Sequence, residues 1–199
     1  MVRVVLDANV LFPPVLRDVF LEFSMNGLFR ALWTDEILSE VARALIRGRR
    51  HTEESAAALI SELQEFFPGS FVIGYEHLVG SDLCLDPNDE HVLGAAIHSR
   101  ADVIVTFNIK DFPTDLFESF GIELSHPDQL LAEVFESNSV LGCQALGGLI
   151  GYYNLPPQTA AELSDRLVRS QVPQFGLRIL DFQESIDAFA SKVRASKAN

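Results

Sequence analysis

Val4-Val5-Leu6-Asp7-Ala8-Asn9-Val10 is the stretch on which the reading of the fold turns. The run from Val2 to Leu6 is short, apolar and β-branched, which predicts a strand buried on both faces. Asp7 ends that run, and residues Asp7 to Pro14 predict a turn. A carboxylate in this position either stands at the lip of a sheet, where ligand clefts form, or caps the turn through its own backbone. Asp7 alone does not decide between the two.

Working outward, a helix is expected from about Pro14 to Met25, closed by Asn26-Gly27. Leu28 to Trp33 predicts a second strand. Thr34 then caps a helix whose apolar positions Ile37, Leu38, Val41, Ala42 and Leu45 follow the 3.6-residue period. Thr52 caps another helix, reaching Phe67 before Pro68-Gly69. Phe71 to Ile73 is expected as a strand, Asn88 to Arg100 as a helix and Val103 to Thr106 as a buried strand. Gly121 to Leu124 is expected as a strand, and Pro127 to Glu136 as a helix. Strands alternating with helices predict a parallel sheet with helices on both faces.

From Ser137 the pattern changes, so the chain divides into a region 1–136 and a helical extension 137–199. Ser137-Asn138-Ser139 is a polar break, and Val140 to Tyr153 mixes apolar residues and glycines without a clear period. Thr159-x-x-Glu162 opens one helix as a capping box, and Asp181-x-x-Glu184 opens another. Val172 to Gly176 must turn between them.

Composition narrows the class. With 199 residues, 48% hydrophobic, the chain can build a core, and fifteen Phe against three Tyr and one Trp fill it with rings that lack polar tips. No apolar run is long enough to cross a bilayer, and the N-terminus lacks the pattern of a signal peptide. Cys84 and Cys143 show no metal or redox spacing and are expected as reduced thiols in a cytoplasmic protein. The net charge of −13 argues against a protein that coats DNA through a broad basic face, yet it leaves room for a nuclease whose site is itself a cluster of acids.

The acids are the informative residues. Glu40, three residues before Arg43, reads by itself as part of a solvated, ion-paired helix face. In Asp86-Pro87-Asn88-Asp89-Glu90-His91, Asp86 reads as a turn residue, and Asn88 or Asp89 as the start of a helix. Thr106-Phe107-Asn108-Ile109-Lys110-Asp111 leaves a buried strand at its carboxyl end. If the helices carrying Glu40 and Asp89 turn toward the strand ends that carry Asp7 and Thr106, three carboxylates converge. Like charges that close raise one another's pKa, and a divalent cation relieves them. An all-oxygen set suits Mg²⁺ or Mn²⁺, and the matching chemistry is metal-assisted phosphodiester hydrolysis.

Taken in order, Val-Val-Leu-Asp7-Ala-Asn9-Val-Leu, Ser39-Glu40, Asp86-Pro-Asn-Asp89-Glu-His-Val-Leu-Gly-Ala-Ala and Ile-Val-Thr106-Phe-Asn108-Ile-Lys-Asp111 resemble a PIN-domain nuclease, in particular the VapC-type toxins of toxin–antitoxin systems. The resemblance covers roughly residues 1 to 136. It implies a PIN-like three-layer α/β/α sandwich around a parallel sheet, with a helical C-terminal extension. It also implies a Mg²⁺- or Mn²⁺-dependent endoribonuclease, often a homodimer, restrained by a small antitoxin. Asp7, Glu40 and Asp89 match the three acidic metal ligands. Asn108 stands where many relatives carry a fourth acid, which puts a second metal in question unless Asp111 substitutes. Asn9 and Thr106 match supporting polar residues, and Asp86 an outer acid.

Arg43, Arg47, Arg49 and Arg50 form the densest basic stretch, placed either to meet an RNA backbone or simply to complement a helix C-terminus. His91 reads as a surface or supporting residue. Two other readings stay open: a degenerate PIN domain that binds RNA or protein without cutting, and an Asp-nucleophile phosphatase. The phosphatase pattern needs a second Asp and a Thr where Asn9 and Leu11 stand.

Overall fold

The computed structural model describes residues 1–49, 51–80, 89–112 and 119–198. β1 (Arg3–Leu6) pairs with β2 (Arg30–Leu32) on one side and β3 (Val103–Val105) on the other, and β4 (Glu123–Ser125) pairs with β3. The order is β2-β1-β3-β4, and every pairing is parallel. Val4, Val5, Leu6, Ile104 and Val105 are completely buried, the burial that a continuous apolar, β-branched run requires in a parallel sheet. The register sets Val5 beside both Leu32 and Ile104, and Leu6 beside Val105.

That order positions the site. After β1 the chain moves to β2 on one side, and it later returns to add β3 on the other. The sheet therefore reverses its direction of growth between β1 and β3, and a crevice opens beyond the carboxyl ends of strands at such a point. Asp7 follows β1 and Thr106 follows β3, and the Asp7 N–H donates to the Val105 carbonyl at 3.1 Å.

Two of the helices around this sheet start at the Thr caps expected from sequence, whereas the stretch Asp7 to Pro14, expected as a turn, contains a short helix. In α1 (Ala8–Leu11) the chain leaves β1, with Val10 and Leu11 buried. Past α2 (Pro14–Met25) and β2, Thr34 Oγ1 accepts the Ile37 N–H at 3.1 Å and opens α3 (Asp35–Arg47), which buries Ile37, Leu38, Val41 and Leu45. Thr52 caps α4 (Glu53–Phe66) in the same way through Ser55. α5 (Glu90–Ser99) ends at Arg100 in the left-handed region, φ 52°. The strand expected at Phe71 to Ile73 reduces to one parallel bridge between Trp33 and Phe71. Gly74 (φ 84°) turns the chain there, and Ile73 is exposed, so no second pairing forms.

The chain separates into two compact units that do not follow sequence order. One comprises residues 1–12 and 29–126; the other comprises 13–28 and 127–199. Compared with the expected division at 136/137, α2 and the helix after β4 belong with the C-terminal helices.

The second unit is entirely helical among its described residues. It contains α2, α6 (Pro127–Ser137), α7 (Ser139–Tyr152), α8 (Ala160–Arg169), α9 (Pro173–Arg178) and α10 (Gln183–Lys197). Its aromatic core explains the grouping: Phe23 of α2 and Phe135 of α6 both meet Phe175 edge-on, at 5.9 and 5.8 Å, and Phe135 also meets Phe182 at 5.1 Å. The stretch from Val140, without visible period, is the helix α7. It is buried on nearly all sides, so no polar face marks its turns. Gly147 and Gly151 lie against α10, and a Cβ on Gly147 would come within 2.7 Å of the Ile186 carbonyl. Val172 to Gly176 does not simply turn; most of it forms α9. The second helix opens at Gln183 rather than Asp181, after a 3₁₀ turn over Ile179–Phe182.

Candidate active site

Asp7, Glu40, Asp89 and Asn108 line one open cleft of about 670 Å³ at the carboxyl ends of the strands. Each arrives by a different route. The end of β1 supplies Asp7, and the segment leaving β3 supplies Asn108. Glu40 lies at the second turn of α3, on the edge between its buried face and solvent. Asp89 is the residue before α5; its side chain makes no capping hydrogen bond there and lines the cleft instead.

Asp7 is held by a closed hydrogen-bond network. Thr106 Oγ1 and Asn9 Nδ2 both donate to Asp7 Oδ2 at 2.6 Å. Asn9 Nδ2 also donates to Thr106 Oγ1 at 2.9 Å, and the Asn108 N–H donates to the same oxygen at 3.0 Å. The Thr106 hydroxyl thus gives its one proton and accepts twice, which uses its full capacity. Asn9 Oδ1 takes the Phe107 N–H at 3.1 Å. Asn9 therefore ties the end of β1 to the end of β3, across 98 residues of chain.

Electrostatics follow from this placement. Asp7 is only 6% exposed, and burial pushes its carboxyl above the ordinary range, against the opposing hydrogen bonds from Thr106 and the backbone and the pull of His91. Burial also raises Glu40; His91 and Arg43 oppose the shift, and Asp7 and Glu36 add to it. Two half-buried to buried acids facing each other want a cation. Among the described residues, no three His, Cys, Asp or Glu side chains are gathered closely enough to grip an ion already. The carboxylates line the cleft as a group, and a shared ion would draw them together. The donor set fits a hard divalent cation: carboxylate oxygens dominate, and no thiolate is among the lining residues.

Arg43 and Arg47 line the same cleft, and Arg43 Nη2 lies 3.7 Å from Glu40 Oε1. Arg49 is exposed and does not line it, and Arg50 and Asp86 lie outside the described residues. The backbone of Asp111 closes a 3₁₀ turn over Ile109–Asp111, and its side chain lies outside the description, as does Cys84. Cys143 is a free, buried thiol.

Glu36 and Phe12 line the cleft without having been singled out as site residues from sequence, as do the small or apolar Ala8, Ala44 and Val79. Glu36 precedes Glu40 by one helical turn, so their shared face was a usable signal. Tyr75 donates its hydroxyl proton to Glu36 Oε2 at 3.3 Å. Of the two readings open for His91, surface or supporting, the structure excludes the surface one: the residue lines the cleft, is 3% exposed and has Nε2 3.6 Å from Glu40 Oε1.

A PIN domain family model matches residues 3–110, a span that includes all four residues that converge on the cleft. The chain belongs to the PIN domain family. Its α/β architecture, with a parallel sheet and a helical C-terminal extension, is that of a PIN-like fold. The chain is 36% identical over 109 residues, 55% of its length, to a protein of Mycobacterium tuberculosis (strain ATCC 25618 / H37Rv) named "Putative ribonuclease VapC50". The aligned part spans 63% of that relative, less than two thirds of its length. No solved structure matches the chain. Among the described residues, no helix of this PIN-domain protein is long and apolar enough to cross a membrane.

Proposed function

We propose that this PIN domain is a Mg²⁺- or Mn²⁺-dependent endoribonuclease, and that it acts as the toxin of a toxin–antitoxin pair. The observation that carries the reading is the convergence of Asp7, Glu40 and Asp89 on one cleft, with Asp7 buried and its carboxyl raised. The likeness to the VapC-named relative supports RNA as the substrate and a small antitoxin as the partner.

In this reading Asp7, Glu40 and Asp89 hold the cation. The bound ion supplies neutralisation of phosphate charge and a more acidic water. The remaining work belongs to the chain. Thr106 and Asn9 fix the rotamer of Asp7, so that its carboxylate is ordered before substrate arrives. Asn108, exposed on the cleft, orients water or a phosphate oxygen through its amide. Arg43 and Arg47 meet the RNA backbone on the α3 side, where guanidinium geometry suits phosphate. A water oxygen forms the new bond to phosphorus, the ester oxygen leaves, and no bond to the protein is made.

The test is incubation of the full chain with structured RNAs, with and without EDTA. Cleavage that EDTA stops and that Asp7→Asn abolishes is the expected result. Asp7→Asn cleaving at the wild-type rate overturns the assignment. A second reading, a PIN domain that binds RNA without cutting it, is favoured by the amide of Asn108 where many relatives have an acid. It predicts RNA retention with no EDTA-sensitive cleavage.

A further inference from the structure

His91 lines the cleft, and the proposed chemistry leaves it unused. Its side chain is 4% exposed, and among the described residues neither Nδ1 nor Nε2 has a hydrogen-bond partner, although both are shielded from solvent. A neutral imidazole has one N–H and one lone pair, and leaving both unmet in a low-dielectric site is costly. The recorded acceptor facing Nε2 is Glu40 Oε1 at 3.6 Å, just beyond hydrogen-bond range. The ring also interacts electrostatically with Asp7. His91 thus stands beside two of the three carboxylates, with both ring nitrogens shielded from solvent.

A competitor acts on the same oxygen. Arg43 Nη2 approaches Glu40 Oε1 at 3.7 Å from a side chain that is 63% exposed. An exposed ion pair of this kind holds its partners weakly. The same carboxylate oxygen thus has an exposed cation and a buried imidazole at similar distances. Three consecutive residues divide the tasks at this corner: Asp89 faces the cleft, Glu90 Oε2 anchors the Gly80 N–H at 2.5 Å, and His91 faces Glu40.

We propose that His91 is a positioning residue: its Nε2–H takes hold of the Glu40 carboxylate and keeps it turned inward, where Glu40 and Asp7 can share a divalent cation. The inference rests on the cation-dependent reading above. Hydrogen-bond partners of metal-binding carboxylates typically contribute 10–100-fold to metal affinity.

The deciding measurement is Mn²⁺ affinity of the full chain by calorimetry, with no RNA present. His91→Phe and His91→Asn, which place no donor where Nε2 stands, should weaken Mn²⁺ binding about 10–100-fold. His91→Gln, whose amide nitrogen reaches the Nε2 position, should restore most of it. In a Glu40→Ala background the His91→Asn change should have little further effect, because the group it acts through is gone. Thermal midpoints without metal show whether each variant folds; if His91→Phe does not, the Gln and Asn pair still decides. Wild-type affinity in His91→Asn, a Gln variant as weak as the Asn variant, an undiminished His91→Asn loss in the Glu40→Ala background, or a wild-type chain that binds no Mn²⁺ overturns the proposal. RNA cleavage by the same samples separates the two readings. A chain that binds Mn²⁺ with the predicted His91 dependence but cuts no RNA keeps the positioning role and loses the nuclease.

Discussion

The two units of this chain bury different things. In residues 1–12 and 29–126, the buried polar side chains among the described residues are Asp7, Thr34, Ser70, Glu90, His91, Thr106 and Ser125. In residues 13–28 and 127–199 they are Arg17 and Ser164, while Phe23, Phe135 and Phe175 meet ring to ring. Burying a polar group lowers stability unless it is fully hydrogen-bonded, so a fold keeps such groups where chemistry needs them. The sheet unit holds a charged cleft with a buried carboxylate, and the helical unit is built for packing. Substitutions in the first should trade activity against stability, and those in the second should cost stability alone.

Asp7→Asn probes that contrast hardest. Loss of several kcal/mol of charge stabilisation corresponds to roughly a 10³-fold fall in RNA hydrolysis or more. Without metal, the same variant should melt higher than wild type, because a buried carboxylate with a raised pKa has become a neutral amide that keeps an oxygen acceptor for Thr106 and Asn9. A lower melting point would contradict a net cost of burying the Asp7 charge. Phe135→Ala tests the other side. Emptying a ring site between Phe175 and Phe182 should cost about 3–5 kcal/mol by denaturant titration. The folded protein should retain the Mn²⁺ affinity of the wild type.

Thr106→Val sharpens the account of the cleft. It keeps the shape but removes the 2.6 Å donor to Asp7 Oδ2, and it should reduce metal affinity or cleavage about 10–100-fold. The smallest effect is a pH dependence. Asp7 and Glu40 titrate above their ordinary values of 3.8 and 4.5 in the folded chain. The folded state then binds more protons than the unfolded state between each ordinary value and its raised counterpart. Stability contributed by these groups is full below that window and is lost as pH rises through it. The melting temperature of metal-free wild type should therefore fall relative to Asp7→Asn as pH rises through the window above 3.8. Saturating Mg²⁺ at neutral pH should close the gap; a parallel pair of curves throughout would contradict the raised Asp7.

Much of the frame was legible because local rules and burial agreed. The apolar run before Asp7 and the run Val103 to Val105 form the two central strands. Thr34, Thr52 and Thr159 cap their helices through side-chain oxygens, since each places a short hydroxyl where the first turn has unpaired N–H groups. What escaped had no local signature. α7 shows no period because neighbours surround it, and its glycines mark close helix contact rather than a loop. Phe71 to Ile73 has strand composition but pairs at one position only. His91 carries no mark of burial in a helix start rich in acids.

By itself the sequence determined which residues could form strands, where helices begin, and that acids follow the strand ends, because those depend on neighbours a few residues apart. Only the tertiary structure decided that Asp7, Glu40, Asp89 and Asn108 face one cleft, that Asn9 and Thr106, nearly a hundred residues apart in the chain, lock Asp7, and that His91 stands beside Glu40. The physical reason is strand order. Growth of the sheet to either side of β1 sets the ends of β1 and β3 together, and no local pattern of apolar and polar residues encodes that adjacency.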